Sequence, residues 1–418
     1  MFMKRFLMLL MALLICAGSA SAEQPALAGK EAVLYCAENG QVLLEKEMDK
    51  PTHPASITKL MTALLVLESG KDLSETVTVS AEAVHSIERD STHIALDTGE
   101  QVTLEQMMYA MLLTSANDAA NVLAEAVDGT QEAFAEHMTA RAEELGCRHT
   151  HFTNAHGLDD PLHYSTAYDM ARIMCALLEY EDFLKIAGTQ VYHMPPTNKQ
   201  PEAREFWNKQ NLLNPQSKFY DETAIAGKNG YTSQSGHTLV TAARRDGVTL
   251  IAVTMGSTES KYDKHRDTRA MFEYGYGQFE KAELSAAQIA AGAEQAGFLP
   301  DRDEIAPVMV LLPKGQKADS LTFSERDGAL DVGGLVTVEI PELETEENIP
   351  AFEADLERET EERTAETRLP PMLKWVGAVL LILIILFILL LTYRTVRIRR
   401  QRRRIREMRA RHRREGRR

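Results

Sequence analysis

The chain has 418 residues, a formal net charge of −15 and only four cysteines. One cysteine falls in an N-terminal leader, and the remaining three exclude a disulfide framework, so the fold must rest on its hydrophobic core. The charge is uneven: residues 394–418 hold fourteen arginines against two glutamates, which leaves the rest of the chain near −27 and confines any polyanion-binding reading to the tail.

Lys4 and Arg5 precede apolar residues 6–17 and a small-residue stretch ending at Ala22, the pattern of a signal peptide over residues 1–22. Cys16 raises a lipoprotein anchor as a rival, but bulky Ile15 stands where such a site needs a small residue. Residues 32–35 and 42–44 flank Glu38-Asn39-Gly40 and predict a hairpin. Ile57, Leu60, Met61, Leu64 and Leu65 recur at helical spacing, predicting a helix that carries Ser56 and stops at Gly70. Thr103 with Gln106 forms a capping-box pattern for a second helix, apolar through Leu113, broken over 114–117 and resumed over 118–127. A third helix is expected over about residues 131–145, ending at Gly146, and Ser165 is a candidate cap for a helix over 166–178. Residues 238–244 and 249–255 are β-rich runs joined by Asp246-Gly247. Helices between strands at both ends predict an α+β domain over 23–278 whose terminal strands share one antiparallel sheet. Short strands and turns then predict a small β domain over 279–343, with strands near 308–312 and 335–340.

Residues 342–368 hold eleven acids against three arginines and cannot bury a core, so 344–371 reads as a solvated stalk. Residues 375–391 are unbroken apolar sequence, predicting one transmembrane helix over 372–393. The arginine-rich 394–418 then belongs on the cytoplasmic side, placing the large domain outside a single-pass membrane protein. Beside such a span the tail is expected to touch anionic lipid rather than nucleic acid.

Three short motifs carry chemistry. Ser56 and Lys59, three apart, share a helix face, so the amine can reach the hydroxyl and serve as its base. Alone, S-x-x-K is a weak signal whose bland reading is a solvated face. Ser115-Ala116-Asn117 and Lys228-Asn229-Gly230 complete the set S-x-x-K, S-x-N, K-x-G in that order. With the surrounding text HPASITKLMTALLVLE, LLTSANDAANVLAE, FTNAHGLDDPLHYSTAYDMA and GKNGYTSQSGHTLVTAARRDGVTLIAV, residues 30–278 closely resemble the D-alanyl-D-alanine carboxypeptidases, low-molecular-mass penicillin-binding proteins of serine peptidase family S11.

The resemblance implies the transpeptidase fold shared by penicillin-binding proteins and β-lactamases, no cofactor, and two partners: peptidoglycan stem peptides ending in D-Ala-D-Ala, and β-lactam antibiotics. It implies Ser56 as nucleophile, Lys59 as base and Ser115 as proton relay. Asn117 would hold Lys59 and the substrate backbone, and Lys228 would attract the substrate carboxylate. Gly230 completes the K-x-G strand, and the backbone N–H groups of Ser56 and Tyr231 would form an oxyanion hole. Asn229 departs from the family's usual threonine, which places carboxylate recognition in question. A wall-binding or sensor protein on the same fold is the alternative; a β-lactamase would need a water-activating carboxylate, and none is recognisable.

Other signals have blander readings. His149, His151, His156 and His163 fit no standard metal-ligand spacing, and no metal is expected. Residues 154–159 are expected to form a structural loop near the site, and Asn208 and Asn211 to pack beside the Lys228 strand. Arg244 and Arg245 could dock a substrate carboxylate, but strand-end arginines read more simply as solvated. Cys147 and Cys175 could pair, but free thiols are the default.

Overall fold

A computed structural model describes residues 24–341. The expected signal peptide, stalk, span and basic tail lie outside the described residues. Among those described, no helix is long and apolar enough to cross a membrane.

The chain opens with the predicted hairpin, β1 (Glu31–Cys36) and β2 (Val42–Lys46). The helical region follows: α1 (Lys59–Glu68), β3 (Thr76–Thr78), α2 (Ala81–His85), β4 (Gln101–Thr103), α3 (Leu104–Tyr109), α4 (Asn117–Asp128) and α5 (Gln131–Glu144). After a long loop come α6 (Ala167–Leu177), α7 (Glu181–Gly188), and the short strands β5 (Val191–Met194) and β6 (Arg204–Trp207). The chain then returns to the main sheet as β7 (Ala224–Thr232), β8 (Gly236–Arg245) and β9 (Val248–Ser257), and crosses it as α8 (Asp263–Gln278).

The sheet order is β2-β1-β9-β8-β7, antiparallel throughout, so the first strands pair with the last of the large domain and β7 is left at an edge. Alternation along the strands sorts two cores. Val33, Tyr35, Val240, Ala242, Ile251 and Val253 pack with α1, α4 and α6 on one face. Ala32, Leu34, Leu239, Ala243, Leu250 and Ala252 pack with Met271 and Phe272 of α8 on the other. The period-2 pattern therefore decides which β7 and β8 side chains face the helical region.

The capping box at Thr103 is present in both halves, and Gln106 is its reciprocal partner. For α6 the cap is Thr166, whose hydroxyl accepts from the Asp169 N–H; Ser165 instead pairs with Thr52 through its backbone and shares a side-chain hydrogen bond with Thr150. Cys36, Cys147 and Cys175 are all free thiols.

The small domain holds β10 (Phe279–Leu284), α9 (Ala286–Ala296), β11 (Val308–Pro313), β12 (Phe323–Arg326), β13 (Ala329–Val332) and β14 (Val336–Val338). It is not purely β: a Ser285/Gln288 capping box starts α9, whose Ile289 and Ala293 pack onto Leu284, Val310 and Leu330. The β1–β2 turn clasps this domain. Gln41 imitates a strand partner, donating from Nε2 to the Leu311 carbonyl (2.7 Å) and accepting the Leu311 N–H at Oε1 (2.8 Å), while Asn39 Nδ2 donates to the Met309 carbonyl (2.9 Å).

Candidate active site

Ser56 sits not on an α-helix but on a single 3-10 turn, Ala55–Thr58, that feeds α1. Pro54 has no N–H to continue a helix backwards, and Ala55 is held at φ +53°, a conformation most side chains avoid. The surroundings hold this strained turn in place. A Cβ on Gly157 (φ +87°) would overlap the Ala55 carbonyl, so only glycine lets the 154–159 loop close on the turn. Thr238 Oγ1 donates to the Pro54 carbonyl at 3.0 Å. A Cβ on Gly230 would lie 2.8 Å from the Ser56 nitrogen, so β7 is pressed against the N–H of Ser56. His163 braces the turn too. The Thr153 N–H donates to its Nδ1 (3.1 Å), which puts the ring proton on Nε2, where it donates to Thr58 Oγ1 (2.8 Å). Burial holds the His163 pKa down to about 3, so the ring stays neutral in this role.

Ser56 is half-buried, whereas Lys59 is fully buried. The Lys59 amine lies 2.6 Å from Asn117 Oδ1, 2.6 Å from the His156 carbonyl and 3.2 Å from Ser56 Oγ. Burial pushes its pKa well below the usual lysine value; the buried Asp118 carboxylate pulls the other way and the Lys209 charge reinforces the fall. A neutral amine has two N–H bonds and one lone pair. With both N–H groups spent on the two short contacts, the lone pair is left for the Ser56 hydroxyl, the arrangement a general base requires.

The second wall is the segment between α3 and α4. The chain leaves α3 through a π-type turn, Ala110–Thr114, and reaches Ser115 in the left-handed region at φ +68°. Lys209 holds this turn from outside: its N–H donates to the Leu113 carbonyl (3.1 Å) and its amine to the Thr114 carbonyl (2.8 Å). Asp118 anchors the start of α4 by accepting the N–H groups of Ile94, Leu96 and Ala119.

The third wall is the edge strand. Lys228 is 1% exposed, and its amine donates to Ser115 Oγ (3.0 Å) and to the Asn229 carbonyl (2.8 Å). Burial lowers its pKa far below the ordinary lysine value, and the charges of Lys59, Lys209 and Lys264 push the same way. Asn229 is half-buried and pairs with Leu239, which packs toward α8, so its side chain leaves the sheet on the face opposite Lys228. Tyr231 shares that face; its ring is exposed and lies 4.5 Å from the His237 ring.

Lys264 of α8 approaches from behind, its amine 3.4 Å from the carbonyls of Gly230 and Thr238. Burial pushes its pKa down to about 8 from 10.5. The unfolded chain therefore binds more protons between those values, so stability rises with pH from 8 to 10.5, and below 8 the full penalty is present. Lys264→Met should stabilise the fold at pH 7 by up to about 3 kcal/mol, because each tenfold loss of proton affinity on folding costs roughly 1.4 kcal/mol. Above pH 10 the gain should be much smaller. Urea denaturation at the two pH values checks this.

The structure thus brings Ser56, Lys59, Ser115, Asn117, Lys228 and Gly230 to one cleft, with Asn229 and Tyr231 at its rim. Arg244 and Arg245 lie further along β8, Arg244 bonded to Thr249 Oγ1 and Arg245 beside Asp246. Asn208 caps backbone carbonyls of residues 187 and 189, and Asn211 meets His265. No group of three or more metal-ligating side chains occurs among the described residues.

The model for D-alanyl-D-alanine carboxypeptidases of peptidase family S11 matches residues 19–259. D-alanyl-D-alanine carboxypeptidase DacF of Bacillus subtilis is 32% identical over 299 residues, covering 69% of this chain and 73% of the relative. DacA of Haemophilus influenzae is 29% identical over 314 residues, covering 71% and 75%. The Streptomyces K15 DD-transpeptidase structure superposes with a TM-score of 0.57 at 26% identity, covering 61% of this chain and all (100%) of that one. By this match and these relatives, the chain belongs to the D-alanyl-D-alanine carboxypeptidases of serine peptidase family S11.

Proposed function

We propose that this protein removes the terminal D-alanine from peptidoglycan stem pentapeptides through an acyl-enzyme on Ser56. The observation that carries the reading is the Lys59 amine, buried and left with a lone pair for Ser56 Oγ at 3.2 Å. Lys59 takes the Ser56 proton as Oγ attacks the carbonyl of the D-Ala-D-Ala bond. The N–H groups of Ser56 and Tyr231 receive the developing oxyanion. The proton passes through Ser115, which Lys228 touches, to the nitrogen of the leaving D-alanine. Asn117 keeps Lys59 and the substrate backbone in register. A substrate carboxylate entering beside Lys228 favours its protonated form and is held by it. Water then attacks the acyl-enzyme. A β-lactam carbonyl would acylate Ser56 by the same steps.

The full-length protein should release D-alanine from a pentapeptide, and Ser56→Ala should release none; a wild-type protein that releases none would sink the proposal. Asn229 has its side chain on the α8 face of an edge strand, so its amide reaches a bound carboxylate only around the open edge. A threonine at 229 would project from the same face and be shorter, so Asn229→Thr is expected to change KM by less than about threefold, with kcat nearly unchanged. Steady-state kinetics of the two proteins decide it.

In this reading the site lies outside the membrane, anchored by the span expected over 372–393 with the basic tail in the cytoplasm. Protease added to intact cells should digest the large domain and spare the tail.

A further inference from the structure

A second cleft, which the Ser56 chemistry does not use, lies between the β1–β2 turn and the small domain. Its cavity volume is about 410 Å³, and Tyr35, Asn39, Tyr168 and Arg172 line it from the large domain, Arg326 and Asp331 from the small one. That volume is within the range of small-molecule sites.

Two guanidiniums border this cleft against one carboxylate, and the carboxylate is already engaged. Asp331 pairs with Arg326 at 2.9 Å and accepts the Gly334 N–H at 2.7 Å. Arg172 is fixed by Nε on the Leu145 carbonyl (2.6 Å) and Nη1 on the Tyr168 hydroxyl (3.3 Å). Its Nη2 makes no hydrogen bond among the described residues. The Arg148 and Arg172 guanidiniums lie 5.8 and 5.9 Å from the Tyr168 ring centroid, adding positive charge behind the wall. The chain outside its tail is strongly acidic, so a cleft with surplus positive charge stands out from its surroundings.

Tyr35 is only 5% exposed, yet its hydroxyl has no hydrogen-bond partner among the described residues. A Cβ at Gly40, also on the cleft wall, would sit 3.1 Å from that hydroxyl. Burial pushes the phenol up to about 12, so it remains a donor. The hydroxyl opens onto the cleft and is free to donate to an acceptor atom there.

We infer that this cleft binds a small ligand headed by an oxyanion, a carboxylate or a phosphate, clamped by Arg172 and Arg326 and accepting a hydrogen bond from the Tyr35 hydroxyl. Because the guanidiniums come from different domains, the ligand ties the small domain to the large one and stabilises their junction by mass action.

The test is calorimetric titration of the full-length protein with inorganic phosphate and, separately, with N-acetylglycine. At least one probe should bind saturably at one site; the tighter one identifies the head group as phosphate or carboxylate. Arg326 is largely exposed, so Arg326→Ala should fold normally while weakening binding about tenfold, as loss of a charge-assisted contact would. Tyr35→Phe should weaken it about threefold or more, the scale of one neutral hydrogen bond. D-alanine release by Arg326→Ala should equal that of wild type, so the cleft and the Ser56 site are tested separately. Absence of saturable binding by both probes, or an affinity unchanged in both variants, overturns the inference.

Discussion

Lys59→Arg is expected to slow acylation of Ser56 by about a thousandfold or more, the scale of losing a positioned general base. Arginine keeps the positive charge and the donors but cannot lose its proton at working pH. It therefore separates two roles that a neutral substitution would confuse. If Lys59 acts only by charge or as a hydrogen-bond donor to Asn117 and His156, arginine should rescue much of the activity. If it acts as base, arginine should be as poor as methionine. The pH profile gives the same sign: burial lowers the Lys59 pKa, so the neutral amine persists well below the usual lysine range. Acylation should rise with pH through that lowered pKa and fall as the amine protonates at lower pH. Stopped-flow acylation by a chromogenic cephalosporin across pH reads both results.

Gly230→Ala should be nearly as damaging for a different reason. Its added Cβ would stand 2.5 Å from Thr238 Oγ1 and 2.8 Å from the Ser56 nitrogen. Both atoms belong to the strained turn and its support, since Thr238 holds the turn through the Pro54 carbonyl. Relief requires the β7 edge or the Ser56 turn to move, and either moves one proposed oxyanion donor. Loss of one such donor costs about a hundred- to a thousandfold in kcat. The edge position of β7 leaves room for the strand to shift, so the fold should survive with little loss of urea midpoint. A variant with normal acylation would show that Gly230 does not set the position of the Ser56 N–H.

The side-chain pairs of the site are legible in the chain because spacing dictates them. Ser56 and Lys59 meet through one turn, and the first hairpin and β8–β9 follow from alternation and Asp246-Gly247. The 3-10 geometry under Ser56 is not legible, because it depends on Ala55 being held at φ +53° by a loop whose Gly157 lies about a hundred residues away. The second short contact of Lys59 is a backbone carbonyl, that of His156, and a carbonyl carries no residue identity to read. In the sequence His156 stands out only as one of four clustered histidines within a loop expected near the site. Lys264 is hidden because α8 has a weak apolar pattern, its buried residues including Lys264, His265 and Asp267. Helix α9 escapes notice because its buried face is Ile289 with small residues, too few large apolar side chains to mark a helical period, although Ser285 and Gln288 carry its capping signal. The motif alone marks Asn229, and only the pairing with Leu239 puts its side chain on the far face from Lys228.

A covalent bond to Ser56 underlies every step proposed for this site, and it can be observed. Full-length protein turning over a pentapeptide can be quenched in acid, digested and mapped by mass spectrometry. A tetrapeptide acyl group is expected on the fragment containing Ser56 and on no other fragment. D-alanine release with the acyl group mapped to a different residue, or continued release by Ser56→Ala, would contradict the mechanism.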